Sequence, residues 1–247
     1  MNLYKADLHT HTVLSPCGDL EMSPANIVMQ AKKKGIEILG ITDHNSTKNC
    51  KVVEQVAKES GIFILKGVEI TTKEEAHCLA FFEKDEELDE FQDYLDRHIT
   101  KIKNDVKKFG YQVVVDEEEN ITEQIDWLLI SALDVGIQEI EKQVHKLNGL
   151  FIPAHIDRAR NSLLSQLGFV PADLNADALE ISKNTKKNEF LIQNNYLADY
   201  CFIQSSDAHF VNNIGDVSTL FRLKEKSFEE IRMALKNENE RKVLIYE

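Results

Sequence analysis

Histidines and carboxylates recur along this chain at places where a divalent metal centre would need them. His9-Thr10-His11 closes the apolar start of the chain. Asp43-His44, His77, His155 and Asp207-Ala208-His209 follow, and Glu69 stands inside Val68-Glu69-Ile70. Imidazole together with carboxylate is the usual ligand set of zinc, manganese or iron. At a strand end His9 and His11 share one face, because strand side chains alternate with period two, so the pair can chelate one ion. A single H-x-H is weak. Its company, Thr42-Asp43-His44 and Ser206-Asp207-Ala208-His209, turns it into a multi-metal hydrolytic centre that draws on the whole chain.

Each candidate has a plainer reading beside it. Glu69, flanked by Val68 and Ile70, is partly buried and needs either a metal or a salt bridge. Asp207 is a ligand or the cap of a following helix. Asp7 and Asp43 read as acceptors that fix imidazole tautomers. Asp19 is a ligand or a turn cap, and Cys17 a core thiol. His98 and His145 lie in charged helical patterns and read as surface histidines. Arg158 and Arg160 follow His155, and Lys183 follows a strand end; Arg158 and Lys183 are candidates for binding phosphate oxygens.

The elements that must position these residues alternate. Leu3 to Leu8 reads as a strand. Ser23-Pro24 opens a helix that Gly35 ends, and Ile36 to Thr42 is the second strand. A helix over 49–60 leads to a third strand, Ile62 to Val68. Later strands are expected at 149–154, 178–181, 200–204 and 242–246, with a closing helix over 228–236. This βα alternation predicts parallel strands and an α/β barrel, whose strand C-termini open on one catalytic face. His77 is the exception, since it precedes the apolar stretch Cys78 to Phe82. Either that strand runs the other way or His77 reaches in from a loop. Residues 83–147 read as a helical insertion, with helices over 88–109, 121–130 and 138–147, capping one side of a single domain that spans 1–247.

With 247 residues, 43% hydrophobic and 29% charged, the composition is globular. A net charge of −13 argues against duplex nucleic acid as a partner. The N-terminus has no basic region followed by an apolar core, no apolar run suits a bilayer, and the four cysteines form no C-x-x-C pair, so a cytoplasmic location is expected.

The motifs Asp-Leu-His-Thr-His-Thr at 7–12, Gly-Ile-Thr-Asp-His-Asn at 40–45, Gly-Val-Glu-Ile-Thr at 67–71, Pro-Ala-His at 153–155 and Ser-Asp-Ala-His at 206–209 resemble those of the polymerase and histidinol phosphatase (PHP) superfamily. The resemblance implies a distorted seven-stranded β/α barrel, TIM-like, and two to three divalent ions of zinc, manganese or iron. It implies that His9, His11, Glu69 and Asp207 hold the first, that Glu69 bridges to a second held by His77 and His155, and that Asp19, His44 and His209 take a third. Glu69, Asp207 and His209 are the residues expected to carry catalysis. The family's usual Ser-Asp-Gly is replaced by Ser15-Pro16-Cys17-Gly18-Asp19. Counting back from Pro24 puts Asp19 at the family aspartate, and counting forward from His11 puts Cys17 there; Asp19 is preferred as the harder ligand. The expected activity is hydrolysis of a small phosphomonoester or nucleotide by hydroxide generated at the metals. The alternatives are amide hydrolysis at the same metals and a non-catalytic, metal-stabilised module.

Overall fold

The computed structural model describes residues 1–245. The chain runs β1 (Asn2–Thr10), α1 (Pro24–Lys33), β2 (Ile38–Ile41), α2 (Cys50–Ala57), β3 (Phe63–Thr71), β4 (His77–Phe81), α3 (Asp85–His98), α4 (Val106–Phe109), β5 (Val113–Val115), β6 (Ile121–Gln124), α5 (Ile137–Lys146), β7 (Leu150–Pro153), α6 (Leu163–Leu167), β8 (Leu179–Glu180), α7 (Lys187–Gln193), β9 (Phe202–Ile203), β10 (Thr219–Leu223), α8 (Phe228–Leu235) and β11 (Lys242–Ile245).

Seven strands form one curled sheet in the order β11-β10-β1-β2-β3-β4-β7. β1, β2 and β3 are parallel, as the βα alternation requires. The parallel pair β8–β9 stands across the open side of this half-barrel. On one edge Ile156 N–H donates to Glu180 O at 2.8 Å, and on the other Ala208 bridges Thr10. The interior is filled from all sides by Ala6, Leu8, Ile38, Leu65, Leu79, Ile152 and Ile203. Phe228, Ile231 and Leu235 of α8 join the same cluster and close the end opposite the candidate residues.

β4 runs antiparallel to β3, and Thr71 pairs with His77. That reversal settles the exception: the start of β4 lies beside the end of β3. The inward stripe Leu65, Gly67, Glu69 on β3 therefore meets the stripe Phe81, Leu79, His77 on β4 at its polar end. β1 solves a different problem. Its register against β2 slips between Asp7 and Thr10, so that three steps on β1 match two on β2, a β-bulge. Leu8 then turns into the core while its neighbour His9 reaches the mouth of the barrel. Gly40 lies opposite, where a Cβ would sit 2.3 Å from Leu8 O, so only glycine lets the bulged strand pass.

The insertion differs from the helical expectation. α3 buries Leu88, Phe91 and Leu95 but stops at Ile99, and the expected helix over 121–130 is instead β6 followed by irregular chain. The physical reason is local. Asp116 Oδ1 accepts from the backbone N–H of Glu118 and Asn120, a side-chain turn that folds β5 and β6 into a hairpin, and Ile121-Thr122 is β-branched. β10, antiparallel to β1, was not foreseen. The expected last strand ends at Ile245; Tyr246 lies outside the described residues. No helix among the described residues is long and apolar enough to cross a membrane.

Candidate metal centre

Glu69, 1% exposed at the end of β3, is the hub. Its Oε1 faces His77 Nδ1 at 2.7 Å, His155 Nε2 at 3.0 Å and His9 Nε2 at 3.4 Å. Its Oε2 faces His44 Nδ1 at 3.0 Å and His11 Nε2 at 3.3 Å. Asp207 Oδ1 lies 3.3 Å from both His9 Nε2 and His11 Nε2. His209 completes the ring of imidazoles, its centroid 4.0 Å from that of His11. Three groups have ligand atoms within 4.8 Å of one another: His9 with His11, Glu69 and Asp207; His44 with Glu69 and His77; and His11 with His44 and His209.

Burial disfavours charge throughout this mouth, and the charges sort against it. The carboxylates of Glu180, Asp207 and Glu69 hold His9 well above its ordinary range, and His11, beside Asp207 and Glu69, is pushed up to about 9. In turn the imidazoles keep Glu69 and Asp207 well below the usual carboxylate range. His44 is driven well below its ordinary value by burial and by its histidine neighbours, and His209 to about 4.

These residues fit metal ions on their own chemistry. His9 Nε2, His11 Nε2, His44 Nδ1, Glu69 Oε2, His77 Nε2 and His155 Nδ1 are all buried with no hydrogen-bond partner among the described residues. Orphaned polar atoms cost free energy, and four of these, His9 Nε2, His11 Nε2, His44 Nδ1 and Glu69 Oε2, lie together at the Glu69 carboxylate and call for a shared partner. The 3.3–3.4 Å spacings around His9 and His11 also match the roughly 3.4 Å edge of a tetrahedron about an ion with bonds near 2.1 Å.

A second layer aims the ligands. His9 Nδ1 pairs with Glu180 Oε2 at 3.0 Å, and the same oxygen accepts His155 N–H at 3.0 Å. His11 Nδ1 meets Ser15 Oγ at 2.8 Å, and Ser15 Oγ donates to Asp43 Oδ1 at 2.6 Å. Asp43 thus acts on its imidazole through a serine. Asp7 touches no imidazole; it accepts from Ser206 N–H, Ser206 Oγ and Gly215 N–H, and so shapes the loop that presents Asp207 and His209. Asp207 (φ +50°) and His155 (φ +28°) both sit in left-handed backbone, uncommon outside glycine and found at functional sites.

The structure thus brings together His9, His11, His44, Glu69, His77, His155, Asp207 and His209. Asp19 stands apart from these three groups. Its carboxylate accepts Glu21 N–H at 2.8 Å, a local turn cap, and joins none of the three groups, although its own N–H reaches His209 O at 2.9 Å. Cys17 is exposed at the rim, its thiol pushed up by burial of the sulfur and by Glu69 and Asp207. Arg158 pairs with Asp207 Oδ2, and with exposed Lys183 it lines a narrow cavity between His155 and Asp207. Glu180 was missed. Its signal was available, because an acid inside the apolar strand Leu179-Glu180-Ile181 repeats the pattern of Val68-Glu69-Ile70.

Residues 7–222 match the PHP domain family. The chain belongs to the PHP family. The uncharacterized protein YqxK from Bacillus subtilis is 25% identical over 97% of this chain and 63% of its own length. Among solved structures, a lesion-specific endonuclease from Pyrococcus furiosus is similar with a TM-score of 0.75 at 21% identity, over 98% of this PHP chain and 58% of that one. A candidate metal-dependent phosphoesterase from Bifidobacterium adolescentis has a TM-score of 0.58 at 20% identity, over 94% and 96% of the two chains. An amidohydrolase from Chromobacterium violaceum has the same TM-score at 15% identity, over 97% of each. The chain therefore spans about three-fifths of YqxK and of the endonuclease. One expectation is corrected. Net charge argued against duplex nucleic acid, yet the endonuclease fold has been seen on duplex DNA with an abasic lesion in its active site. Net charge is a sum over the whole surface and does not report the field at one mouth.

Proposed function

We propose that this PHP protein hydrolyses phosphate esters, of a small molecule or a nucleotide, with two to three divalent ions of zinc, manganese or iron. One observation carries the reading: a single buried carboxylate, Glu69, faces five imidazoles, with four orphaned polar atoms gathered there. His9, His11, Glu69 and Asp207 would hold one ion, Glu69 with His77 and His155 a second, and His44 with His209 a third. Ions held there would lower the pKa of a coordinated water from 15.7 to about 7 and neutralise charge on the phosphoryl oxygens.

The chain's own residues do the rest. Glu180 and Ser15 fix the ring orientations of His9 and His11, so the reacting face is preorganised. Arg158, held on Asp207 Oδ2, is placed to exchange that carboxylate for a phosphate oxygen, with Lys183 behind it. Divalent ions held there would outweigh the two carboxylates, so the mouth would draw in an anion even in a chain of net charge −13.

Turnover of p-nitrophenyl phosphate with added manganese, and its loss on chelation, tests the reading. His9→Ala is expected to abolish turnover and release metal on elemental analysis; full activity in that variant would overturn it. Amide hydrolysis is the second reading, favoured by the amidohydrolase likeness, and cleavage of an acylated amino acid panel without ester turnover would select it.

A further inference from the structure

Residues 101–111 reverse the charge of this acidic chain. Lys101, Lys103, Lys107 and Lys108 stand with one acid, Asp105, in a protein of 42 acidic and 29 basic residues. Ile102, Phe109 and Tyr111 are interleaved with them, 54%, 42% and 50% exposed. Scattered exposed apolar side chains are ordinary. Rings and lysines interleaved along one short surface segment are the arrangement that holds a nucleic-acid strand, with cations along the phosphates and aromatic faces under unpaired bases.

The segment is held in shape. Asn104 Nδ2 donates to Gly110 O at 3.0 Å, which ties its two arms together across α4, and just beyond it Gln112 Nε2 donates to Trp127 O at 2.7 Å. Lys101 Nζ lies 5.0 Å over the Trp127 ring. Asp105 is occupied as the cap of α4, accepting Lys107 N–H at 3.2 Å, and its other oxygen is 3.9 Å from Lys108 Nζ. Exposed Asp126, whose carbonyl accepts Asn104 N–H at 2.7 Å, is a further acid beside the segment.

Its position gives the strip a use. A Cβ on Gly110 would lie 3.5 Å from Pro16 O, and Val113 N–H reaches Val13 O at 3.4 Å. The loop over 12–18 therefore has the strip against one side, while its Ser15 holds His11 of the metal centre. A strand bound on this strip would lie beside the loop that carries Ser15.

We propose that the strip over 101–111 is a docking surface for a nucleic-acid strand, with phosphates on Lys103, Lys107 and Lys108 and unpaired bases on Phe109 and Tyr111. The proposal deepens the phosphoesterase reading and rests on it for what happens at the mouth, though not for binding. Fluorescence anisotropy with a single-stranded oligonucleotide of about 20 residues, and with a duplex carrying an overhang, is read across a salt series. The triple variant Lys103→Gln, Lys107→Gln, Lys108→Gln is expected to bind at least tenfold more weakly at about 50 mM salt, and to lower the log–log salt slope by about two. The pair Phe109→Ala, Tyr111→Ala should cost a further several-fold on the unpaired strand. A matched triple on a different surface, Lys32→Gln, Lys33→Gln, Lys58→Gln, should bind as the parent does. Absence of binding by the parent, or equal binding by the strip and matched triples, would overturn the proposal. Turnover of p-nitrophenyl phosphate should be unchanged in all of them. If it persists while strand binding fails, docking alone is refuted; if strands bind but no ester is cut, the phosphoesterase reading alone is refuted.

Discussion

Two regions of this molecule set a histidine between carboxylates, and they are opposites. On α5, His145 Nδ1 pairs with Glu141 Oε1 at 2.6 Å and Nε2 with Asp177 Oδ2 at 3.0 Å; Asp177 also accepts Phe151 N–H at 2.8 Å. Both ring nitrogens are served, and the ring is a charged clasp between α5 and the chain around β7. In the barrel mouth, His9 and His11 are each anchored by Nδ1 while Nε2 faces carboxylates without a hydrogen bond. The difference teaches that the clasp histidine uses both nitrogens, whereas each of these two keeps one free to meet a shared partner. Burial alone does not separate them, and neither does closeness to an acid.

Glu69→Gln gives the largest break in that comparison. It removes one charge from the hub of five imidazoles, and metal content and ester turnover should both collapse, turnover by about a thousandfold or more. Unchanged metal on elemental analysis would show that Glu69 is not the hub of a metal centre. Next comes pH. His11, with its pKa pushed up to about 9, binds a proton that a metal must displace. Metal affinity, measured by chelator competition, should therefore fall between pH 8 and pH 6, by about a hundredfold for each such proton. Glu180→Gln keeps an acceptor near His9 but removes the charge, and metal affinity should drop about ten- to a hundredfold with the fold intact.

The clasp should respond in stability alone. His145→Ala should leave metal and turnover unchanged and lower stability by about 1–2 kcal/mol, hydrogen bonds to charged groups being discounted for a partly exposed ring. The hydrogen bond to Asp177, working against burial and aided by Glu141, raises the pKa of His145. A raised folded pKa makes the contribution complete below the unfolded value near 6.5 and removes it as pH rises through the folded value. The gap in urea midpoint between the parent and His145→Ala should thus be wider at pH 6 than at pH 9.

Much of the centre was legible because strand periodicity is local. His9, His11, Asp43, His44, Glu69 and Asp207 follow apolar runs whose β character is plain, and their convergence follows from parallel strands. The direction of β4 was not legible, since Cys78 to Phe82 reads the same either way; only the Thr71–His77 pairing places His77 beside Glu69. The place of Asp19 was not legible, because spacing from Pro24 measures chain length, not the path of a turn, and in the structure its carboxylate accepts the nearer Glu21 N–H. The helix read over 121–130 failed because the apolar spacing there suits both periods, and Asp116 decided for the hairpin.

Residue order by itself determined the inventory: which imidazoles and carboxylates end strands, that the strands are joined by helices, and hence the class of fold. Such properties live within a few residues of chain, where alternation, capping and turn chemistry act. Only the tertiary structure decided the partnerships, namely that Glu69 faces five histidines, that Glu180 holds His9 across 171 residues, and that both nitrogens of His145 are already taken. A buried polar atom is satisfied or orphaned by whatever the folded chain brings within 3 Å or so of it, and no local pattern encodes that.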